Sequence, residues 1–589
     1  MTSLEAKRHT LAHLLAQAVL EKYGPSGARP QLTLGPAIEN GFYYDIDFGA
    51  DAKPSEADLP ELEALMRKNL PRWTEFTHEE VSADQARTTF SSPTGVNRYK
   101  SEIIDDIVAR GEPITLYTAG GFTDLCRGGH SEHPAKDIAP DSFTLDRVAG
   151  AYWRGDEKNP MLTRIYGLAF DTKEELDAYI AQREEAKKRD HRKIAKEQGL
   201  LVFSDLVGSG MPMFTPKGNT IRSAIIDYSR ELNAELGFGE VHTPNINKGE
   251  LFKISGHYDQ YKEDMLTVHS QYVEDEMFLK PMNCPQHTQI YASAPRSYRD
   301  LPIRFSDFAV LYRDERPGEL SGLTRLRAFS QDDGHIFCRE DQIEGEIANV
   351  LAAIRKALAT YHIDYWVRLS LRDPEKKDKY IGEDSVWEKA EAIMRGLLTS
   401  KGIPFKEALG EAAFYGPKMD IMAVDAIGRE WQISTIQLDL NMPGRFNLEY
   451  TAEDGTKKTP VMIHRALTGS PDRFMGILLE HYAGALPLWL SPVQARALPI
   501  SEKHVAYARE VVAALRAAGI RADADDDNES LGKKIRAAKG EKIPYLLVVG
   551  DAEVEAKTLS VESRDAGKQG AMPLADFIAH ANEEIKTRK

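Results

Sequence analysis

Two short β-type runs joined by a long loop lie near the middle of the chain, between Leu311 and Cys338. The first run is apolar and ends at Tyr312, the loop contains Pro317, and the second run alternates from Leu326 to Ser330. Runs of this kind bounded by proline and glycine predict an antiparallel hairpin. Strands also outnumber regular β–α–β alternations in the surrounding region, so we predict a mainly antiparallel sheet flanked by helices.

The hairpin also carries charged side chains and one aromatic ring: Arg313, Glu315, Arg325, Arg327 and Phe329. Guanidinium groups bind phosphate through paired charge-assisted hydrogen bonds, and an aromatic ring can stack on a purine. A nucleotide site is therefore one interpretation of this pattern. A surface hairpin with solvated charges is the other, and the hairpin alone does not decide between them.

Length and composition limit the class of protein. At 589 residues the chain has room for three or four domains of ~150 residues each. Its net charge of −16 argues against a surface coated in basic charge, although a basic track on one face is compatible with it. The three cysteines, Cys126, Cys284 and Cys338, predict a reducing compartment rather than a disulfide framework. The chain shows no apolar leader and no run of ~18 apolar residues, so we predict a soluble cytoplasmic protein without membrane contact.

Two pairs of possible metal ligands occur near the N-terminus. His9 and His13 are four apart in a predicted amphipathic helix and share one face, and Cys126 and His130 are also four apart. Three histidines and a cysteine are a plausible zinc ligand set. Taken singly, each histidine is more often a packed or surface residue, so a metal site stays one interpretation of the four.

Changes of pattern along the chain predict four segments. Residues 1–170 end in a compact aromatic stretch, and 171–199 are densely charged and predict an exposed helical connector. Residues 200–494 contain the antiparallel sheet. In 495–589, strands and helices alternate, which predicts a small α/β domain with a mostly parallel sheet.

Several motifs together resemble the bacterial threonyl-tRNA synthetases, a family of class II aminoacyl-tRNA synthetases. The three class II signatures occur in order: a long helix and strand ending in Pro244, the hairpin with Arg313, and the SPDRF segment with Arg473. The more specific motifs are KPMNCP, SQDDGHIFC, PVMIHRA and the two N-terminal pairs. The resemblance runs from about residue 4 to the C-terminus. It implies an α+β multidomain fold, with an editing domain at 1–170, a class II catalytic domain at 200–494 and an anticodon-binding α/β domain at 495–589.

The resemblance implies activation of L-threonine with ATP to threonyl-adenylate, transfer to tRNA(Thr), and hydrolysis of mischarged seryl-tRNA(Thr) at a separate site. It also implies Mg²⁺ with ATP, one Zn²⁺ per subunit, and a homodimer formed through the helix and strand before Pro244. By position in the matching motifs it assigns the reaction to Arg313, Arg473, Gln331, Asp333 and Lys418. It assigns ATP binding to Arg313, Glu315, Arg325, Phe329, Gln437 and Arg473, and threonine binding to Met282, Asp333, Gln331, Thr435 and Gln437.

The resemblance makes Cys284, His335 and His464 zinc ligands, whereas an isolated cysteine is usually a buried structural thiol. It places editing at His9, His13, Tyr44, Lys100, Asp124, Cys126 and His130. Editing in the family usually needs no stably bound metal, so the resemblance replaces the zinc interpretation of the N-terminal pairs. It places anticodon contacts at Asn528, Glu553 and Arg564.

Three features depart from the family pattern. The chain begins without the small β-rich domain that most bacterial members carry before the editing domain. Glu562 occupies a position that is commonly basic, and the segment EWQISTIQ differs from the commoner small-residue version. The rival interpretations are a serine or proline enzyme of the same class, a non-enzymatic RNA-binding paralogue, and a metallohydrolase built on the N-terminal pairs. The first and last leave motifs unexplained, and a paralogue would be expected to lack Arg313, Arg473 or a zinc ligand.

Overall fold

The computed structural model describes residues 3–24, 30–49, 54–92 and 95–588. The chain divides into two compact units, Met1–Glu184 and Glu185–Lys589. In the part of the chain that the structure describes, no helix has both the length and the apolar character needed to cross a membrane.

The N-terminal unit is built around the helix Ser3–Tyr23, whose predicted apolar residues, including Leu11 and Leu15, are buried. The helix packs on an antiparallel sheet with the strands Gln31–Leu32, Ala37–Ile38, Gly41–Asp47, Phe143–Tyr152 and Met161–Ala169. Ala37–Ile38 pairs antiparallel with Gly41–Asp47, so the chain makes a tight turn before Gly41. A second sheet and the remaining helices complete the unit: strands Thr77–Val81, Ile114–Ala119 and Phe122–Leu125, and helices Leu59–Asn69, Ala83–Thr89, Arg98–Ala109 and Pro134–Asp137.

The predicted exposed connector at 171–199 is only partly correct. It forms two helices, Lys173–Lys188 and His191–Glu197, because Asp190 caps the second by accepting a hydrogen bond from its backbone. The first helix is largely exposed, as predicted. The second is not, since Ile194 and Ala195 are buried in the hydrophobic core of the second unit. Because most residues of this segment are charged, the sequence pattern did not reveal the short apolar face formed by Ile194 and Ala195.

The second unit contains the predicted antiparallel sheet. Within the described residues it has eight strands, in the spatial order Gly239–Glu240, Ile303–Asp307, Asp333–Cys338, Val461–Ala466, Glu430–Asp439, Lys418–Val424, Asp364–Leu371 and Phe405–Leu409. Only the outermost pair at each edge is parallel. The helices that flank this sheet and its core are Pro216–Glu235, Ile343–Thr360, Asp384–Ser400 and Pro471–His481.

Alternation along the central strands separates a core face from a polar face. Ile336, Ile463 and Ile436 point into the large hydrophobic core. Their neighbours on the same strands, such as His335 and Gln437, line a cavity on the other side. Successive side chains of a strand point to opposite faces, so this sequence pattern fixes which face carries the chemistry.

The predicted hairpin is confirmed, since Val310–Tyr312 pairs antiparallel with Ala328–Ser330. A smaller sheet and short helices lie in the same unit: strands Ile246–Lys248, Met277–Leu279 and Thr267–Val268, and helices Gly249–Ser255, His257–Tyr261, Cys284–Ala292 and Met442–Arg445. Two further strand pairs are Leu201–Val202 with Met213–Phe214, and Tyr450–Thr451 with Lys457–Lys458.

The C-terminal α/β region has the predicted alternation, but its sheet is not mostly parallel. The strands Ala522–Ala524, Ala495–Pro499 and Tyr545–Val549 pair in parallel, whereas Thr558–Ser563 and Gly567–Pro573 add an antiparallel hairpin. This hairpin was missed because its second strand, GKQGAMP, is polar and glycine-rich and is largely exposed. The helices are Val505–Ala517, Leu531–Gly540, Asp551–Ala556 and Leu574–Thr587.

Candidate functional site

Two adjoining cavities, of about 770 and 540 Å³, lie beside the polar face of the central sheet. Every residue predicted to bind threonine, ATP or zinc lines at least one of them. The residues that line only the first cavity are Met282, Cys284, Asp333, His335, Lys418 and His464. Those that line only the second are Phe329 and Arg473. Both are lined by Arg313, Glu315, Arg325, Gln331, Thr435 and Gln437. The predicted threonine side and the predicted ATP side are therefore neighbouring spaces with Arg313 between them.

Sheet register aligns the polar residues of the first cavity. His335 is directly opposite His464, His464 is opposite Gln437, and Gln437 is opposite Lys418. Directly opposed side chains have Cβ atoms about 4.5–5.5 Å apart. Four residues from distant parts of the sequence thus form one row across four neighbouring strands.

Cys284, His335 and His464 form a buried three-donor cluster whose ligand atoms lie within 4.8 Å of one another. His335 Nε2 is 3.0 Å from His464 Nδ1. Two nitrogens that bind one tetrahedral zinc at 2.0–2.1 Å are about 3.3 Å apart, so this spacing fits an ion between them. Cys284 begins the helix Cys284–Ala292, immediately after the strand Met277–Leu279 and its turn.

The surroundings of the two histidines fix which nitrogen faces the cluster. His464 Nε2 lies 3.0 Å from an oxygen of Asp439, which leaves Nδ1 for the cluster. His335 Nδ1 lies 2.7 Å from Nδ1 of His287, which leaves Nε2. Burial holds the pKa of His335 well below its usual range, so the ring is neutral, as a metal ligand must be. Burial holds the pKa of the Cys284 thiol well above its usual range, so a cation is needed to make it a thiolate.

Sequence reasoning missed three residues of this site. His287 supports His335, and its position three residues after Cys284 on one helix is a signal that could have been used. Tyr415 stacks on His464, with ring centroids 4.7 Å apart, and donates a hydrogen bond to Gln437. His257 places Nε2 3.8 Å from Cys284 Sγ, although nothing in the local sequence links the two.

The arginines of the hairpin and the third signature differ in how far they are engaged. The guanidinium of Arg313 lies over the ring of Phe329, 5.2 Å from its centroid, and has no side-chain hydrogen bond or ion pair with a described residue, although the charge of Glu315 acts on it from farther away. Arg473 has a buried Nε without a partner among the described residues. Arg325 instead pairs with Glu315 at 2.8 Å and Glu319 at 3.0 Å. Two guanidinium groups are therefore free to meet anions, whereas the third would have to exchange a carboxylate for one.

Two further predicted residues have partners of opposite charge or polarity. Asn283 Nδ2 donates to Asp333 at 3.1 Å, and Lys418 pairs with the buried Asp420 at 2.9 Å. Burial raises the pKa of Asp333, which sits in the first cavity. A cationic amino group placed there would stabilise the ionised carboxylate.

The N-terminal unit brings together all the residues predicted for editing. His9 and His13 have their Nε2 atoms 3.2 Å apart, and Cys126 Sγ lies 3.4 Å from the Nε2 atoms of both His9 and His130. Except for His130, the predicted editing residues line a cavity of about 600 Å³. Phe76, which sequence reasoning missed, stacks on His130 with centroids 3.9 Å apart.

Asp124 is the centre of a buried network in this cavity. It accepts a hydrogen bond from Tyr44 at 2.5 Å and pairs with Lys100 at 2.5 Å and with His13 at 3.1 Å. Burial favours the neutral carboxyl, but the charge of Lys100 and the contact with His13 outweigh it and hold the pKa of Asp124 below its usual range. The carboxylate is therefore ionised and fixes the His13 ring.

The charged groups of the cluster pair with one another. Burial lowers the pKa of an imidazolium, but hydrogen bonds to Asp124 and Cys126 raise the pKa of His13 to about 9. Burial raises the pKa of a thiol, but hydrogen bonds from His13, His130 and His9 lower the pKa of Cys126 to about 3. The thiolate and Asp124 are thus matched by His13 and Lys100. The donor spacing could also hold a zinc ion, but that ion would displace the His13 proton and upset the balance.

This arrangement predicts selective alkylation of one cysteine. At about pH 5.5 iodoacetamide should modify Cys126, because its thiolate persists until the pH falls to the lowered pKa, whereas an ordinary thiol is protonated below about 8.5. Cys284 and Cys338 are buried and have raised pKa values, so they serve as internal controls. Peptide mass spectrometry measures the three sites separately. His13→Ala should remove the low-pH reactivity, and equal labelling of all three cysteines in the wild type would contradict the pairing.

The residues predicted to contact the anticodon have different local surroundings. Asn528 is exposed in a loop. Glu553 accepts a hydrogen bond from Ser560 at 2.9 Å and also caps its own short helix. Arg564 donates to backbone carbonyls, including that of Lys542 at 2.9 Å. Anticodon binding by these three residues stays a prediction.

Comparisons with known proteins agree with this arrangement. Residues 266–482 match the tRNA synthetase class II core domain (G, H, P, S and T), and residues 494–584 match an anticodon binding domain. The threonine–tRNA ligase of Rubrobacter xylanophilus is 48% identical over 99% of this chain and 89% of its own length. That of Thermus thermophilus is 47% identical, with the same coverage.

A solved structure of the RNA binding domain of threonyl-tRNA synthetase from Cryptosporidium parvum is also similar, with a TM-score of 0.64 and 38% identity. It covers 67% of this chain and 98% of that one. The class II core match includes both the hairpin and the three-donor cluster, and the similarity to the bacterial ligases continues through the N-terminal unit. The chain belongs to the threonine–tRNA ligase family.

Proposed function

We propose that the chain activates L-threonine with ATP, transfers the threonyl group to tRNA(Thr), and removes misattached serine in its N-terminal unit. The observation that carries the first part is the Cys284, His335 and His464 cluster in a cavity that shares Arg313 with a second, arginine-lined cavity. An amino-acid selector and a phosphate-binding surface are thus adjacent.

Activation requires a threonine carboxylate oxygen to attack the α-phosphorus of ATP while the bond to pyrophosphate breaks. The Arg313 guanidinium would bind both reacting anions, because no described side chain forms a hydrogen bond or an ion pair with it. Its planar fork can hold them in line and stabilise the charge that develops. Phe329 would stack on the adenine, and Arg473 would bind the outer phosphates, to which Mg²⁺ is expected to be coordinated. In the second step a ribose hydroxyl of tRNA attacks the carbonyl carbon, and AMP leaves.

Zinc fits the three-donor cluster because His335 Nε2 and His464 Nδ1 face each other at 3.0 Å beside the buried thiol of Cys284. Cys284, His335 and His464 would hold it, with Asp439 and His287 orienting the rings. When bound there, zinc would supply open coordination to the α-amino and hydroxyl groups of threonine, so valine would be rejected for lack of a hydroxyl. Asp333 would accept a hydrogen bond from the amino group, and Gln331, Thr435 and Gln437 would line the side-chain space.

Metal analysis tests the zinc proposal. Purified protein should contain about one zinc per chain, because Cys284, His335 and His464 form a buried three-donor set, whereas the family resemblance implies editing without a stably bound metal at Cys126. Cys284→Ser should lose the metal. Cys338→Ser, at a buried cysteine outside the cluster, should keep it. A metal-free wild-type protein with full activity, or zinc retained by Cys284→Ser, would refute the assignment.

A second site is needed because serine has the hydroxyl and lacks only a methyl group. One methyl group is worth about 1–3 kcal/mol of discrimination, which is too little for faithful translation. In hydrolysis a water oxygen attacks the seryl ester carbonyl, and the tRNA hydroxyl leaves. Lys100 and one histidine of the cluster would position that water. Cys126 would orient water or substrate rather than form a bond to it.

We also propose a homodimer formed through the helix Pro216–Glu235 and the adjoining strand. Large apolar side chains in the segments that precede and follow these elements in the sequence are exposed, including Phe203, Leu206 and Ile246, and Leu206 is 99% exposed. Such a surface is costly in water unless a partner covers it. Light scattering after size-exclusion chromatography should give twice the chain mass. An active monomer at all accessible concentrations would rule the dimer out.

A further inference from the structure

We propose that His191 is a positioning residue that holds the loop of the hairpin against the ATP-side cavity. This inference rests on the proposed ATP site. His191 begins the short helix His191–Glu197 and is 3% exposed. It is remote in sequence from every motif of the family resemblance.

Both ring nitrogens of His191 are engaged. The backbone N–H of Leu323, in the hairpin loop, donates to Nε2 at 2.9 Å. Nδ1 lies 2.6 Å from a carboxylate oxygen of Glu480, on the helix that carries Arg473. Because a backbone N–H can only donate, Nε2 is the acceptor and Nδ1 carries the proton that it donates to Glu480. Asp190, His191 and Glu480 are close enough to hold a metal, but this engagement leaves His191 no free donor atom.

The loop is fitted closely to this ring. Gly322 has φ +48°, and a Cβ there would lie 2.1 Å from His191 Nε2. A real Cβ does not approach another atom so closely, so the loop needs glycine beside the histidine. His191 therefore fixes both the hydrogen bond at Leu323 and the path of the chain just before it.

The loop residues that follow are part of the predicted ATP site. Leu323, Thr324 and Arg325 line the second cavity together with Phe329 and Arg473. Leu323 and Thr324, which follow Gly322 directly, line this cavity and not the first one. Loss of the hydrogen bond at Leu323 should therefore weaken ATP binding and leave threonine binding unchanged.

Three substitutions of His191 separate positioning from packing. Glutamine can place an acceptor near the position of Nε2 and keep the bond from Leu323. Asparagine reaches only the position of Nδ1, so it can keep the contact with Glu480 but not the one with Leu323. His191→Ala and His191→Asn should raise the KM for ATP about tenfold, the loss expected for one buried hydrogen bond. His191→Gln should stay within about twofold of the wild type, and the KM for threonine should be unchanged in all three.

Gly322→Ala tests the contact between the loop and His191 independently. It should raise the KM for ATP in the wild type, and the rise should shrink when His191→Ala makes room for the new methyl group. Non-additivity of this kind reports direct contact. If His191→Ala does not fold, Gly322→Ala and the glutamine and asparagine pair still decide the question.

Pyrophosphate exchange in the full chain, ATP dissociation constants from equilibrium dialysis, and zinc content are the measurements. Threonine-dependent exchange by the wild type tests the proposed function, and the variant series tests His191 separately through ATP dissociation constants. Equal ATP affinity in the glutamine and asparagine variants, a parallel change in the KM for threonine, additive effects with Gly322→Ala, or loss of a metal on His191→Ala would each overturn the inference.

Discussion

Replacement of Arg313 by alanine is expected to lower kcat/KM for threonine-dependent pyrophosphate exchange by about a thousandfold or more. The guanidinium lines both cavities and lies over the ring of Phe329, and it forms no ion pair with a described residue. The substitution removes a charged fork from the reacting anions without leaving a buried carboxylate unpaired. Stability should therefore change little while the chemical step is lost.

Two further variants separate the role of the Arg313 guanidinium from the effects of charge and of losing any arginine. Arg313→Lys keeps the charge but loses the fork, so it should recover only a small part of the activity. Arg395→Ala removes an arginine that pairs with Glu407 away from both cavities and should leave exchange unchanged. A folded Arg313→Ala protein with near-normal exchange would rule out the proposed role.

The double substitution His9→Ala with His13→Ala is expected to reduce hydrolysis of seryl-tRNA(Thr) by about a hundredfold or more, the scale of a lost acid–base group. These two rings and Cys126 form the centre of the cluster in the N-terminal unit. Threonine activation should be untouched, because no residue of the two cavities in the second unit changes. Serine should then accumulate on tRNA(Thr) during aminoacylation.

A histidine outside the cluster controls for the loss of imidazole. His133 is exposed in the same unit, and His133→Ala should hydrolyse preformed seryl-tRNA(Thr) as fast as the wild type. Rapid hydrolysis by the double variant would refute the editing assignment. Failure of the wild type to hydrolyse the substrate would also contradict it.

Local patterns predicted much of the fold. The hairpin, the antiparallel sheet and the buried face of the first helix followed from apolar periodicity and turn residues. Two elements did not. Ile194 is buried by residues of the second unit's core that are distant in the sequence, and the charged sequence around it gives no sign of that contact. The strand Gly567–Pro573 is formed by pairing with its neighbour and not by the strand propensity of its residues.

Some residues of the candidate site could also be predicted from local sequence patterns, and others could not. Spacing alone placed His9 with His13 and Cys126 with His130, because residues four apart share a helical face or a short turn. Spacing could not join Cys284 to His335 and His464, because two paired strands and the start of a helix bring them together from distant parts of the sequence. The family resemblance supplied that link. Neither route found His287 or His191, since their roles are hydrogen bonds to residues far away in the sequence.

Amino-acid-dependent exchange of pyrophosphate into ATP, measured with each of the twenty amino acids, tests the central claim most directly. Threonine should support rapid exchange, serine a slower exchange, and valine essentially none, because only the first two offer a hydroxyl to the site at Cys284, His335 and His464. Exchange supported by some other amino acid, with threonine inert, would contradict the account, and so would a folded, zinc-loaded protein that supports no exchange with any of them.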